Sequence, residues 1–308
     1  MKINSVAVLG AGAVGSYIIW GLSQCSDIQF GVIAKGERAE RLKHKGCLIN
    51  GKVYRPTVWT PEEARGVDLL IVSLKYGALK GAMEDIAKIV GENTIVMSLM
   101  NGIDSEQLIG ERVDKEHMMY SLIKIASHGE NGGYCFDPET TIGIIYGELT
   151  PPFASERVLA IQSLLEEHGI HSRYTDSILQ EMWSKFRLNV CNNLPQAILG
   201  AGVGCYYDST HMKAIQEGLK KELEAIALAK GIPLEEDTFD YRCVVPPTAR
   251  YSTLQDLDAG RHTEIDMFSG ALVRMGEELG IPTPYNEYTY HMIKAIEEKN
   301  DGRFDYQS

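Results

Sequence analysis

"VAVLGAGAVGSYIIWGL", residues 6–22, contains no charged side chain, and three readings compete for it. Lys2 followed by an apolar run containing Ala-Gly-Ala has the outline of an export signal, but Gly10, Gly12 and Gly15 interrupt the greasy helix such a signal needs. A membrane span requires about 20 continuous apolar residues, and Ser5, Ser16, Ser23 and the same glycines break that count. The third reading accounts for the glycines. Ser5 to Leu9 is a strand-type run, GAGAVG follows at once, and AVGSYIIWGLSQ has apolar residues at helical spacing. In a strand–turn–helix of this kind the first glycine makes a tight turn and the second lets backbone N–H groups approach a pyrophosphate. The third lets the helix pack closely on the strand. Gly10, Ala11, Gly12, Ala13, Val14 and Gly15 are therefore the candidate phosphate-binding turn of a dinucleotide site.

Working outward, the first half alternates strand and helix. IQFGVIA reads as a second strand, ERAERLKHK as a helix, and CLINGKVYRPTVW as a hairpin turning at Asn-Gly. DLLIVSLK and NTIVMSLMNG are continuous apolar runs, as expected for parallel strands buried on both faces. MEDIAKIV is the helix joining them. From Ser177 onward the pattern turns helical: Ile215, Leu219, Leu223 and Ile226 make one apolar stripe. EIDMFSGALVRMGEELG and YTYHMIKAIEEK read as two further amphipathic helices. The fold class expected is α/β, with a doubly wound Rossmann-type domain over residues 1–176 and an all-helical domain over 177–308 that carries substrate and catalytic groups. A ligand cleft formed by both would narrow by a hinge near residues 174–178.

Composition narrows the function. With 308 residues, 44% hydrophobic and 23% charged, the chain reads as a soluble globular protein, and its net charge of −12 speaks against nucleic acid or an anionic membrane as partner. Six cysteines (Cys25, Cys47, Cys135, Cys191, Cys205, Cys243) show no C-x-x-C spacing and read as reduced cytoplasmic thiols, with neither a metal site nor disulfides. A homodimer is compatible with these features.

At the end of the second strand, where an NAD site carries an acid for the ribose 2′-OH, stands Lys35, with Arg38 beyond it. Two cations suit a 2′-phosphate, so NADP(H) is the cofactor expected; Glu37 as the ribose acid, or both cations as solvated surface charges, are the other readings. Tyr120 and Lys124 have the spacing of a short-chain dehydrogenase pair, yet MMYSLIKIA is strand-like, which separates them. In WSKFRLNVCNNLPQAI a helix would stack Lys185, Asn189 and Asn193 on one face at i, i+4 and i+8, each step about 6 Å along the axis. Asparagine is a poor helix former, so this polar ladder among apolar neighbours is either a small-acid site or a solvated face. In YSTLQDLDAGRHTEID, Ser252 and Thr253 offer hydroxyls near a helix start, and Glu264 is placed early in the next helix; caps and a dipole-suited carboxylate are the plain alternatives.

Taken together and in order, GAGAVG, SLK with Lys75, MNG with Asn101, KFRLNVCNN and STLQDLDAGRHTEID resemble the ketopantoate reductase (2-dehydropantoate 2-reductase) family, from residue 5 to about 300. The resemblance implies NADPH-dependent reduction of 2-dehydropantoate to pantoate, on the route to pantothenate and coenzyme A. It implies Lys185 as proton donor, Asn189, Asn193 and Ser252 as substrate contacts, and Lys75, Asn101 and Glu264 as cofactor contacts. The chain departs from the family pattern at Met100, where glutamine often precedes Asn-Gly. It departs again at Asn193, which is followed by Leu194 before Pro195, and near residue 203, where an expected asparagine is missing. A reductase of another branched 2-ketoacid, an opine-type dehydrogenase and a non-catalytic NADP(H) sensor are the alternatives, and Lys185 together with Glu264 argues against the sensor.

Overall fold

The computed structural model describes residues 1–236, 245–304 and 306; Cys243 lies outside them. The chain divides into two compact units, Met1–Glu181 and Met182–Ser308.

In the first unit, β1 (Ser5–Leu9), α1 (Ala13–Leu22), β2 (Gln29–Ile33) and α2 (Gly36–Lys45) come first. They are followed by the hairpin β3 (Cys47–Ile49) and β4 (Lys52–Tyr54), then β5 (Thr57–Trp59). Next are β6 (Leu69–Val72), α3 (Tyr76–Ile89), β7 (Ile95–Ser98), α4 (Ser105–Val113) and β8 (Met118–Lys124). β9 (His128–Glu130), β10 (Gly133–Cys135), β11 (Gly143–Gly147), α5 (Glu156–Glu167) and β12 (Ser172–Tyr174) complete it. The main sheet has the order β12-β11-β8-β7-β6-β1-β2-β5, and a smaller one has β4-β3-β10-β9. From β8 to β5 all pairings are parallel; β11 joins β8 antiparallel.

Burial on both faces explains the continuous apolar strands. Val6 and Val8 of β1, Leu69 and Ile71 of β6, and Ile95 and Met97 of β7 pack on one side with Tyr17, Ile18 and Leu22 of α1 and Leu165 of α5. The alternate residues Ala7, Leu9, Leu70, Val72 and Val96 pack on the other side with Leu79 and Ile86 of α3 and Ile109 of α4. The β3–β4 hairpin turns through Asn50 and Gly51, with φ of 49° and 74°, the double left-handed turn that Asn-Gly favours. Tyr120 and Lys124 both lie on β8, so the strand reading of that segment holds, and Lys124 pairs with Glu181 at 3.1 Å.

The second unit is helical. α6 (Ile178–Leu188) begins in the first unit and runs into it, and a five-residue π turn over Asn189–Asn193 leads to α7 (Leu194–Leu199). α8 (Cys205–Asp208), α9 (Thr210–Ala229), α10 (Ser252–Asp258), α11 (Ser269–Leu279) and α12 (Pro284–Asn300) follow. The α9 stripe holds in part: Leu219, Leu223 and Ile226 are buried, but Ile215 is exposed, and the packed face continues through Met212 instead. EIDMFSGALVRMGEELG is also shorter as a helix than its pattern suggests, since α11 starts only at Ser269.

Candidate active site

The glycine turn joins β1 to α1 with each glycine in a distinct position. Gly10 has φ +117°, a region closed to most L-residues, and a Cβ there would lie 2.5 Å from the Ser73 carbonyl oxygen. A Cβ on Gly15 would lie 1.9 Å from the Gly10 carbonyl oxygen, so only glycine lets α1 come this close to the turn. Gly12 caps α1, and a Cβ there would meet nothing within 4 Å; the space it leaves open lies outside the protein's own packing. Ala11, Gly12, Ala13 and Val14 are half-buried at the mouth of this turn. The first turn of α1 has no acidic residue, which leaves the positive end of the helix dipole free to meet an anion. The Ser73 hydroxyl donates to the Gly10 carbonyl at 2.8 Å and pins the turn to the end of β6.

The other candidate cofactor residues of this unit follow from strand direction. β2, β1, β6 and β7 run parallel, so the segments after them share one sheet edge: Lys35, the glycine turn, Lys75 and Asn101. The connection from β1 passes to β2 on one side, and β6 returns on the other, which makes β1 the switch point where open α/β sheets bind ligands. Lys75 is the exposed N-cap residue of α3, and Asn101 lies three residues past β7. Lys35 caps α2, and its ammonium makes an ion pair with Asp85 of α3 at 2.7 Å. Arg38 and Glu37 are exposed in the first turn of α2, and the Arg38 charge acts on the Cys47 thiol, partly offsetting the upward push of burial.

A buried polar relay under the Asn101 segment was not legible in the sequence. The Met100 N–H reaches Ser98 Oγ at 3.4 Å, Ser98 Oγ lies 2.8 Å from Ser105 Oγ, and Ser105 donates to Glu106 Oε2 at 2.9 Å. The Glu106 carboxyl is fully buried, and that burial pushes its pKa up to about 7. Ser105 and Glu106 at the start of α4 look like ordinary helix-start residues until the fold brings Ser98, at the end of β7, against them.

In the second unit, Lys185 stands half-buried on the last turn of α6, one turn before Asn189. Asn189 and Asn193 are buried at 9% and 4% exposure, and Asn193 Nδ2 donates to Asn189 Oδ1 at 3.3 Å. The regular α ladder is corrected by the π turn. Pro195 has no N–H for an i−4 carbonyl and its ring crowds that carbonyl, and widening the preceding turn to i+5 spacing relieves both. The two asparagines nevertheless stay in contact. Asn193 Oδ1 and Thr253 Oγ1 are both buried without a hydrogen-bond partner, and α10, which carries Thr253, packs on the π turn. Buried polar atoms left without a partner cost on the order of 1–3 kcal/mol each.

Ser252 is the exposed first residue of α10 and makes no cap. Its position is fixed by a residue the sequence reading passed over. Gln196 of α7, fully buried, donates to the Ala249 carbonyl at 2.9 Å and accepts from the Tyr251 N–H at 2.8 Å. A glutamine inside the apolar run LPQAIL was the available signal. Glu264 is not in a helix: it sits half-buried in a bend five residues before α11. The reason is Thr263, whose N–H and hydroxyl both donate to the buried Glu297 Oε1 at 2.6 Å, holding the segment open along α12.

A parallel sheet with a glycine turn at its switch point, joined to a helical unit with a Lys/Asn/Asn segment, defines a Rossmann-type oxidoreductase class. Family models described as "Ketopantoate reductase PanE/ApbA" and "Ketopantoate reductase PanE/ApbA C terminal" match residues 6–142 and 177–297. The chain belongs to the ketopantoate reductase family. Among curated relatives, 2-dehydropantoate 2-reductases of Aquifex aeolicus and Pyrococcus horikoshii are 24% and 26% identical. The alignments cover 94% and 96% of this chain, and 96% and 99% of the relatives. Two solved structures share the fold at 23% identity and TM-score 0.83, each match covering 96% of this chain and 99% of the other. They are a PanE/ApbA family ketopantoate reductase from Ralstonia eutropha and a D-mandelate dehydrogenase with NADH and anilino(oxo)acetate.

Proposed function

We propose that the protein reduces a 2-ketoacid, 2-dehydropantoate to pantoate, with NADPH, in the cytoplasm and on the route to pantothenate and coenzyme A. The observation that carries this reading is the Asn189–Asn193 pair beside Lys185, with Asn193 Oδ1 buried and unsatisfied. Amide groups of that kind orient a carboxylate or hydroxyl without adding charge. When bound, the reduced nicotinamide supplies the hydride that reduces the keto carbon. Gly10 to Gly15 fit the pyrophosphate, because Gly12 leaves its space open and α1 presents a dipole without an opposing acid. Lys75, Asn101 and Glu264 complete the cofactor contacts. Lys185 hydrogen-bonds the ketone oxygen, transfers a proton to it and stabilises its developing negative charge, the larger contribution where water is excluded. Ser252 holds the substrate's polar end together with the asparagines.

Lys35 and Arg38 support NADPH, each charge-assisted contact to a 2′-phosphate contributing about 1.5–3 kcal/mol. The Lys35–Asp85 pair favours a second reading, NADH, because the Asp85 carboxylate neutralises one of the two cations. The substrate likewise has a second reading in another branched or aryl 2-ketoacid, given the departures at Met100 and near residue 203. The deciding experiment follows NADPH and NADH oxidation against a panel of 2-ketoacids that includes 2-dehydropantoate and benzoylformate. Highest kcat/KM for 2-dehydropantoate with NADPH supports the proposal; turnover confined to another ketoacid would overturn the substrate, and none on any would overturn the activity.

A further inference from the structure

We infer that Cys25, Asp27 and His168 form a binding site for a thiophilic divalent cation of the zinc class, independent of the proposed reductase site. One ligand atom from each residue lies within 4.8 Å of the others. Cys25 Sγ is 3.1 Å from His168 Nδ1, and His168 Nε2 is 3.5 Å from Asp27 Oδ2. A thiolate, an imidazole and a carboxylate are the donors that zinc-type ions take, three protein groups leaving a fourth position for water.

A second observation separates this cluster from a chance meeting of polar side chains. The His168 side chain is only 9% exposed, so its Nδ1 is held out of water against the Cys25 sulfur. Nδ1 is the ring nitrogen a shared ion would take. Asp27, 60% exposed, can move the remaining distance. A tetrahedral centre sets sulfur and nitrogen roughly 3.5 Å apart, so the 3.1 Å contact opens only slightly on ligation.

The surroundings are built for positive charge. Cys25 lies just beyond the carboxyl end of α1, with its N–H on the Leu22 carbonyl at 3.2 Å, and His168 caps the carboxyl end of α5. Two helix dipoles therefore point their negative ends here, and neither helix has a basic residue in its last turn. Burial, and then the Asp27 charge, push the Cys25 thiol up, so without a cation the sulfur keeps its proton. Binding replaces that proton: the S–H bond breaks, the metal–sulfur bond forms, and one proton goes to solvent for each ion bound.

The test uses the full chain stripped with a chelator and titrated with Zn²⁺ against a chromogenic chelator, then with Co²⁺ to read thiolate-to-cobalt charge transfer in the near ultraviolet. One equivalent per chain and a thiolate band are expected. Cys25→Ser should abolish the band, and Asp27→Asn, a change at an exposed side chain, should weaken affinity by roughly 10–100-fold while leaving the circular dichroism unchanged. Failure of the native chain to bind would overturn the site. So would a band that survives Cys25→Ser, which would put the ion on another thiol, or an affinity untouched by Asp27→Asn.

Discussion

A carboxyl held near neutrality inside a protein links its protonation to stability. Glu106 has an ordinary value of 4.5 and is raised to about 7 by burial. Because the folded value exceeds the unfolded one, its stabilising contribution is full below about pH 4.5. It is lost as pH rises through about 7, where the carboxylate must ionise in place. Glu106→Gln stays neutral throughout. The stability of the native chain relative to this variant should therefore decline between about pH 4.5 and 7, measured by urea unfolding at fixed salt; a difference independent of pH would remove the linkage. The cofactor cations are tested at the same scale. Replacing Lys35 and Arg38 together by alanine should weaken NADPH by roughly 10²-fold, about 3 kcal/mol, and leave NADH nearly unchanged in fluorescence titration. Equal losses for the two cofactors would remove them from the 2′-phosphate.

Elements show which features of the chain could be read in advance. The glycine turn, the Asn50-Gly51 hairpin and the apolar strands β6 and β7 are legible because their causes are local: a φ that needs glycine, a tight loop, burial on both faces. Lys185, Asn189 and Asn193 were legible as a group, but the π turn over Asn189–Asn193 was not, since the same residue types at the same spacing fit a regular helix equally well. Tertiary contacts account for the remaining departures. Glu264 lies outside α11 because Thr263 bonds to Glu297, 34 residues on, and Lys35 meets Asp85 across 50 residues. Neither separation leaves a pattern in sequence. The close approach of β1 and α1 gives an element-scale prediction. Gly15→Ala must push the Gly10 carbonyl away from a Cβ that would sit 1.9 Å from it. It should cost about 1–3 kcal/mol of stability and abolish measurable NADPH binding. Native-like affinity in that variant would mean that the turn does not carry the pyrophosphate.

At the scale of the whole molecule, two units of different architecture carry different parts of the proposed chemistry: in that proposal the sheet edge of the first supplies the glycine turn, Lys75 and Asn101 for the cofactor, and the second supplies Glu264 for the cofactor and Lys185, Asn189, Asn193 and Ser252 for the ketoacid. The net charge of −12 makes the few cations placed at these positions, Lys35, Lys75 and Lys185 among them, the natural anchors for two anionic ligands. Family membership accounts for the order of the motifs along the chain, and the geometry accounts for what each residue type can do there. The central claim of the proposal is that Lys185 is the proton donor. It is tested most directly by the kcat of Lys185→Ala on the best-accepted 2-ketoacid, with NADPH affinity measured in parallel. A general acid contributes about 10²–10⁴ in rate, so kcat should fall by that factor while NADPH binds as before; near-native turnover in this variant would contradict the mechanism.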